Sequence, residues 1–226
     1  MDVPLIRLAS VDSTQAFLRR NPHLGFCAVL ADRQVEGRGR QGNRWESAAG
    51  AGLWLSAALP VPAGVAPGLV LQRAMTAAAS VLDPERRTLG LKWPNDLVAW
   101  KGGRLVKLGG ILGEQVGGRL ILGLGVNLAS APEIPGRAIP PACLADLGLA
   151  WPDIALLASD IVQSWCDLVQ DLQPLFRWPE AGVPIRWEDG QGTCLGWEPD
   201  GRLKVAKAEG IQRLSAGEVS GLGQGR

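Results

Sequence analysis

Asp32-Arg33-Gln34-Val35-Glu36-Gly37-Arg38-Gly39-Arg40-Gln41-Gly42-Asn43-Arg44-Trp45-Glu46-Ser47 is the stretch on which the reading of this chain turns. Three glycines, Gly37, Gly39 and Gly42, alternate with Arg38, Arg40 and Arg44 before Trp45. Glycine, lacking a Cβ, lets the backbone turn sharply and bring its N–H groups against a ligand. Arginine offers a planar fork of donors suited to carboxylate and phosphate, and Trp45 offers an apolar face for a ring. The segment reads as a flexible lid over a small anion. Its plain alternative is a solvated surface loop, which the segment alone favours. A third reading, the dinucleotide-binding fingerprint, matches Gly37 to Gly42 but requires a following helix and an acidic residue about 20 positions on. Ala48-Ala49-Gly50-Ala51-Gly52 is poor helix material, and no Asp or Glu occurs between Glu46 and Asp83. That reading is rejected.

Upstream, Leu5 to Leu8 is a short apolar strand, and Asp12-Ser13-Thr14-Gln15 followed by Ala16-Phe17-Leu18 has the form of a helix N-terminus. Gly25 to Ala31 is a buried strand that feeds the glycine-arginine loop, and Leu53 to Leu59 is the strand after it. Leu71, Met75, Ala78, Ala79 and Leu82 recur at helical spacing. Lys92-Trp93-Pro94-Asn95-Asp96 is a turn between two strands. Arg104 to Val116 and Arg119 to Leu128 form a hairpin about Gly117-Gly118. This predicts a meander of strands with helices on one side. Pro152 to Leu172 carries an amphipathic repeat, with Pro152 in the first turn. After Gly182, turn signals at Asp189-Gly190, Pro199-Asp200-Gly201, Glu209-Gly210 and Ala216-Gly217 indicate a small β-barrel that must lean on the main domain.

Composition narrows the chemistry. The net charge of +1 implies no broad basic surface for nucleic acid. Cys27, Cys143, Cys166 and Cys194 form no C-x-x-C pair, and read as buried or idle thiols in a reducing compartment. The single histidine, His23, argues against most zinc sites and against a His-based triad. The apolar region 51–82 is cut by Pro60, Pro62 and Pro67, so no membrane span is expected. Chemistry must run on lysine, arginine, carboxylates or a borrowed metal ion.

Taken in order, Ser13-Thr14, the glycine-arginine loop, Lys92-Trp93-Pro94-Asn95-Asp96, Lys107-Leu108-Gly109-Gly110-Ile111-Leu112 and Gly123-Leu124-Gly125-Val126-Asn127 resemble the biotin–protein ligase (biotin–[acetyl-CoA-carboxylase] ligase) family. The resemblance runs from about Val11 to the end of the chain and covers the family's catalytic and C-terminal parts. It implies an α+β fold: a mixed, mostly antiparallel sheet with helices packed on it, of the class II synthetase-like biotin/lipoate ligase type. Residues 1–180 are expected to form this catalytic domain and residues 181–226 a small SH3-like β-barrel. The family's N-terminal helix-turn-helix domain is not expected, which implies a monofunctional enzyme that does not bind nucleic acid.

The implied reaction has two steps: ATP activates biotin as biotinyl-5′-AMP, and a lysine of a biotin carrier domain of acetyl-CoA carboxylase then takes the biotinyl group. ATP and Mg²⁺ are implied as co-substrate and ion. By resemblance, Lys92 and Arg38 are catalytic. Ser13, Thr14, Gln15, Gln34, Gly37, Arg38, Gly39, Arg40, Lys92 and Gly109 bind biotin. Arg38, Arg40, Trp45, Asn95, Lys107 and Asn127 bind the nucleotide. No protein-held metal is expected, the location is cytoplasmic, and homodimerisation stays open. Two alternatives remain: a ligase of the same fold for lipoate or octanoate, and a non-catalytic biotin-binding module. Gln15, Gly52 and Trp54 depart from the family's usual Asn, Asn and Tyr.

Overall fold

The computed structural model describes residues 2–166, 168 and 176–222. Its main element is an eight-stranded sheet of order β1-β2-β3-β7-β6-β5-β4-β8. The strands are β1 (Leu5–Leu8), β2 (Ala28–Ala31), β3 (Gly52–Pro60), β4 (Leu89–Lys92), β5 (Asp96–Lys101), β6 (Arg104–Val116), β7 (Arg119–Asn127) and β8 (Arg177–Trp178). Strands β4 to β7 are a continuous antiparallel meander, while the outer pairs β1–β2 and β4–β8 are parallel. Two of its turns are built on glycine pairs. Gly102-Gly103 and Gly117-Gly118 have φ of 56° and 76°, and of 56° and 75°. Two successive positive φ values make the tight turn whose twist matches paired strands.

Alternation along the strands assigns two faces. Leu53, Leu55, Ala57 and Leu59 of β3 point into the main core with helices α2 (Pro67–Leu82) and α3 (Ile154–Trp165). Ala58 points the other way, joining Val29, Ile121 and Leu18 of α1 (Thr14–Arg20) in a separate cluster. The expectation of helices on one side is thus corrected: α1 lies on the face opposite α2 and α3. Short amphipathic helices report that one stripe is buried, but not against which side of a sheet.

Helix ends also differ from the sequence reading. Helix α3 is capped by Asp153, whose carboxylate accepts from the N–H groups of Ala155 (2.8 Å) and Leu156 (3.4 Å). Pro152 therefore precedes the cap and is not in the first turn. Leu172, the expected end of this helix, lies outside the described residues. Helix α2 begins at Pro67, where the missing N–H costs nothing.

The C-terminal strands are β9 (Pro184–Trp187), β10 (Gly190–Trp197), β11 (Leu203–Lys207), β12 (Gly210–Leu214) and β13 (Ser220–Gly221). They form a second sheet of order β12-β11-β10-β9-β13. Ile185, Trp187, Cys194, Leu203, Val205, Leu214 and Val219 share one cluster with Trp93, Val98, Leu105 and Trp178 of the large sheet. So small a sheet lacks enough apolar surface to close a core alone; it borrows Trp93 in the turn after β4 and the face of β5, β6 and β8 that carries Val98, Leu105 and Trp178.

Candidate active site

A cavity of about 200 Å³ opens on the α1 side of the large sheet, under the glycine-arginine loop. Three glycines make its floor. Gly123 and Gly125 of β7 lie opposite Ser56 and Trp54 of β3, and Gly110 of β6 lies opposite Gly125. A Cβ on Gly123 would come 2.6 Å from Gln15 Oε1, and one on Gly125 would come 2.6 Å from Trp45 Nε1. Side chains at these two positions would fill the cavity, so the stretch Gly123-Leu124-Gly125 is small on the cavity face and apolar on the core face.

The cationic end depends on a β-bulge. Pairing of β5 with β6 shifts register between Leu97 and Val98, which face Gly109 and Lys107 respectively. One extra residue in β6 lets Lys107 and Gly110 share the cavity face, while Val106, Leu108 and Ile111 all reach the core. Asp96 of β5, paired with Gly110, then receives Lys107 Nζ at 2.6 Å and Lys92 Nζ at 3.6 Å. Lys92 ends β4, and its side chain is only 3% exposed. Burial holds its pKa below the ordinary lysine range, opposed by the nearby carboxylates of Asp96 and Glu218. Lys92 Nζ lies 5.7 Å from the Trp178 ring centroid, and Lys107 Nζ lies 5.6 Å from that of Trp45.

At the other end a polar chain links three elements. Thr14 donates its N–H to Gln34 Oε1 (2.8 Å), and its hydroxyl is 2.7 Å from Ser56 Oγ. Gln34 Nε2 donates to Ser47 Oγ (2.9 Å). Ser13 caps α1 by accepting from the Ala16 N–H at 3.4 Å. The loop itself is a small hairpin. Trp45 N donates to Gly37 O (2.8 Å), Gly39 N donates to Asn43 O (2.7 Å), and Arg38 bridges Arg44. A Cβ at Gly37 would run into the Trp45 carbonyl and Ser47 Oγ, so the glycine is required for this closure. Arg40 reaches across to Asn95 Oδ1 (3.2 Å) and to the carbonyl of Gly217 (3.0 Å) in the C-terminal sheet's last turn.

Twelve of the expected residues line the cavity: Ser13, Thr14, Gln15, Gln34, Arg38, Gly39, Arg40, Trp45, Lys92, Asn95, Lys107 and Asn127. Gly37 and Gly109 do not. Gly109 is packed against Gly125 O, where a Cβ would lie at 2.6 Å. Sequence reasoning quoted Asp96 and the floor glycines within its motifs without giving them a role, and passed over Ser56 and Glu218. Asp96 lay within a motif already singled out, while Glu218, which also lines the cavity, had no local signal at all. Two buried polar atoms facing this space, Trp45 Nε1 and Asn127 Oδ1, have no hydrogen-bond partner among the described residues. A donor and an acceptor left open in a cavity fit a ligand that carries both, as a purine nucleotide does.

The departure at Gly52 and Trp54 is one feature. The two lie on the same face of β3, and a Cβ at Gly52 would meet Trp54 Cη2 at 2.6 Å. The Val126 carbonyl, closer still to that Cβ, and the Trp54 ring together leave no room for a side chain at 52. Its Nε1 donates to Ala48 O at 3.3 Å and so ties down the end of the loop.

The chain and its fold are similar to known proteins. The biotin/lipoate A/B protein ligase family model matches residues 9–129, more than half of the chain, and the chain belongs to that family. A biotin–[acetyl-CoA-carboxylase] ligase of Mycobacterium tuberculosis is 38% identical over 145 residues, 60% of this chain and 51% of the relative. The bifunctional ligase/repressor BirA of Escherichia coli is 35% identical over 132 residues, 54% of this chain and 40% of the relative. The chain thus matches about half of the length of these curated relatives, or less. The solved biotin protein ligase of Aquifex aeolicus in complex with biotin and ATP superposes with TM-score 0.72 at 25% identity, covering 97% of this chain and 98% of that one.

Proposed function

We propose that this chain is a biotin–protein ligase, activating biotin with ATP and passing it to a lysine of a biotin carrier domain. The observation that carries this reading is the buried Lys92 at the cationic end of a cavity under an arginine-bearing loop, in a chain of this family. In the first step an oxygen of the biotin carboxylate bonds to the α-phosphorus of ATP and the bond to pyrophosphate breaks. Two anions must meet, and Lys92 and Lys107, with Arg38 and Arg40 above them, supply the positive field. In the second step the carrier's lysine nitrogen bonds to the acyl carbon, the bond to AMP breaks and the amine loses a proton. The loop keeps water from the mixed anhydride until then.

In this reading the Thr14–Gln34 end takes the ureido ring, and the Trp45–Asn127 end takes the adenylate. Buried polar contacts of that kind distinguish acids of similar size. Mg²⁺ belongs to the nucleotide substrate rather than to a protein cage. Asp96, the carboxylate between Lys92 and Lys107, is engaged by both lysines. Residues 1–180 carry the chemistry and residues 181–226 the accessory sheet, a division supported by the two separate sheets. Among the described residues no helix is long and apolar enough to cross a membrane, and a cytoplasmic setting, where carrier and ATP coexist, fits the reaction.

The test is incubation with biotin, ATP, Mg²⁺ and a biotin carrier domain, read by mass, with lipoate and octanoate in parallel. A gain of one biotinyl group supports the reading. Modification by lipoate or octanoate alone assigns the other acid, and no modification with intact binding leaves a biotin-binding module.

A further inference from the structure

The carbonyl of Gly201, in the small sheet, meets the main domain at Trp93, the residue that follows Lys92. Gly201 lies in the turn between β10 and β11 and accepts from Gln72 Nε2 of α2 (2.7 Å) and from Trp93 Nε1 (3.0 Å). Trp93 is wholly buried and adjoins Lys92, while Gln72 is only 6% exposed on a helix otherwise buried through Val70, Ala74, Met75 and Ala78. A buried amide on an apolar face is costly unless partnered, and among the described residues the Gln72 amide donates to this carbonyl. The turn is shaped for the contact. Gly201 has φ +87°, and a Cβ there would lie 2.8 Å from Leu69 N at the start of α2.

The turn is also hydrogen-bonded within itself. Glu198 N donates to Arg202 O (2.8 Å), Gly201 N donates to Glu198 O (2.9 Å), and Arg202 Nε donates to Asp200 Oδ2 (2.7 Å). From this anchor the small sheet extends to Gly217, whose carbonyl accepts from Arg40, and to Glu218 at the cavity. The C-terminal sheet therefore touches the cavity at one end and is locked to the Lys92 turn at the other.

We infer that Gln72 is a positioning residue: through the Gly201 carbonyl it sets the small sheet against the Trp93 turn, so that the Gly217-Glu218 loop seats over the nucleotide end of the cavity. This rests on the proposed ligase reading for its kinetic arm only. Gln72 touches no substrate; it acts through the sheet.

Gln72→Leu keeps volume and helix propensity while removing the donor, and Gln72→Met guards against a packing fault peculiar to the branched side chain. Each full-length variant is assayed for KM of ATP, KM of biotin and kcat in biotin-dependent pyrophosphate exchange, and for amide hydrogen exchange at residues 198–203 and 215–219. A buried hydrogen bond predicts a rise of about three- to tenfold in KM for ATP, with KM for biotin unchanged and faster exchange confined to those two segments. Wild-type KM and wild-type local exchange in both variants overturn the inference. So does faster exchange spread through α2 and the large sheet with kcat reduced and KM unchanged, which marks a plain core residue. If the wild-type protein shows no biotin-dependent exchange of pyrophosphate, the ligase reading falls instead. The latch is then decided by hydrogen exchange alone: local acceleration upholds it and its absence overturns it.

Discussion

Lys92 Nζ and Asp96 Oδ2 face each other at 3.6 Å across the turn between β4 and β5, with the other carboxylate oxygen held by Lys107 at 2.6 Å. One carboxylate thus holds two ammonium groups in a single small site. When two anions enter, the lysines can turn to them, with Asp96 still opposing their mutual repulsion.

The first prediction is a pH dependence. Burial depresses the Lys92 pKa, and in the proposed reaction the ammonium form is the one that draws the anions together. Rising pH should therefore remove activity before the ordinary lysine value of roughly 10.4 is reached. The alkaline limb of kcat/KM for biotin in pyrophosphate exchange reports this for the free enzyme. Asp96→Asn removes a charge that favours the ammonium and should move the limb to lower pH. Lys92→Ala should reduce exchange by about 100-fold or more while the protein stays folded. For stability the sign is the same as for other depressed lysines. The unfolded chain binds the extra proton in the window between the depressed and ordinary values, so stability rises with pH across it. An alkaline limb above the ordinary lysine value would count against a buried, working Lys92.

The second prediction contrasts two glycines. Gly125→Ala places a methyl group 2.6 Å from Trp45 Nε1. Trp45 sits on a loop and can yield, so the expected result is a several-fold rise in KM for ATP with little loss of stability. Gly117→Ala meets no atom within 4 Å but must adopt φ 56°. It should cost about 1 kcal/mol of stability and leave KM alone. Denaturation midpoints and KM values for the pair separate site from scaffold, and equal KM values in both would remove Gly125 from the floor.

The third prediction concerns the loop. Its internal bonds are few, and Arg38 and Arg44 are exposed. Trypsin should cut within residues 38–44 of the free protein, and biotin with ATP should slow that cut by about tenfold or more as the loop is held down. Mass analysis of the fragments with and without ligands checks this. The same cleavage rate in both states would mean that the loop does not close on the ligands.

Much of the site was legible because its residues lie in short, ordered motifs. Lys92 and Asn95 flank one turn, Arg38 and Arg40 belong to one loop, and Ser13 and Thr14 begin one helix, so local spacing alone brings each group together. One strand turn was legible for a related reason: the paired glycines at 117-118 supply the successive positive φ values of a tight hairpin. What escaped was set by contacts between distant parts. The side of the sheet on which α1 packs is invisible in its own seven residues. The bulge in β6 appears only when β5 is laid beside it.

The amino-acid order by itself determined the strands of the meander, the arginine-bearing loop, the lysine at the turn and the family to which they point, because each is encoded within a dozen residues by side-chain type and backbone freedom. Only the tertiary structure decided that Lys107 shares Asp96 with Lys92, that Gly123 and Gly125 form a floor, and that Gly201 is gripped by Gln72 and Trp93 from 129 and 108 positions away. Such contacts depend on register and packing between elements. Those are selected by burial of the whole apolar surface and leave no local mark on the residues that meet.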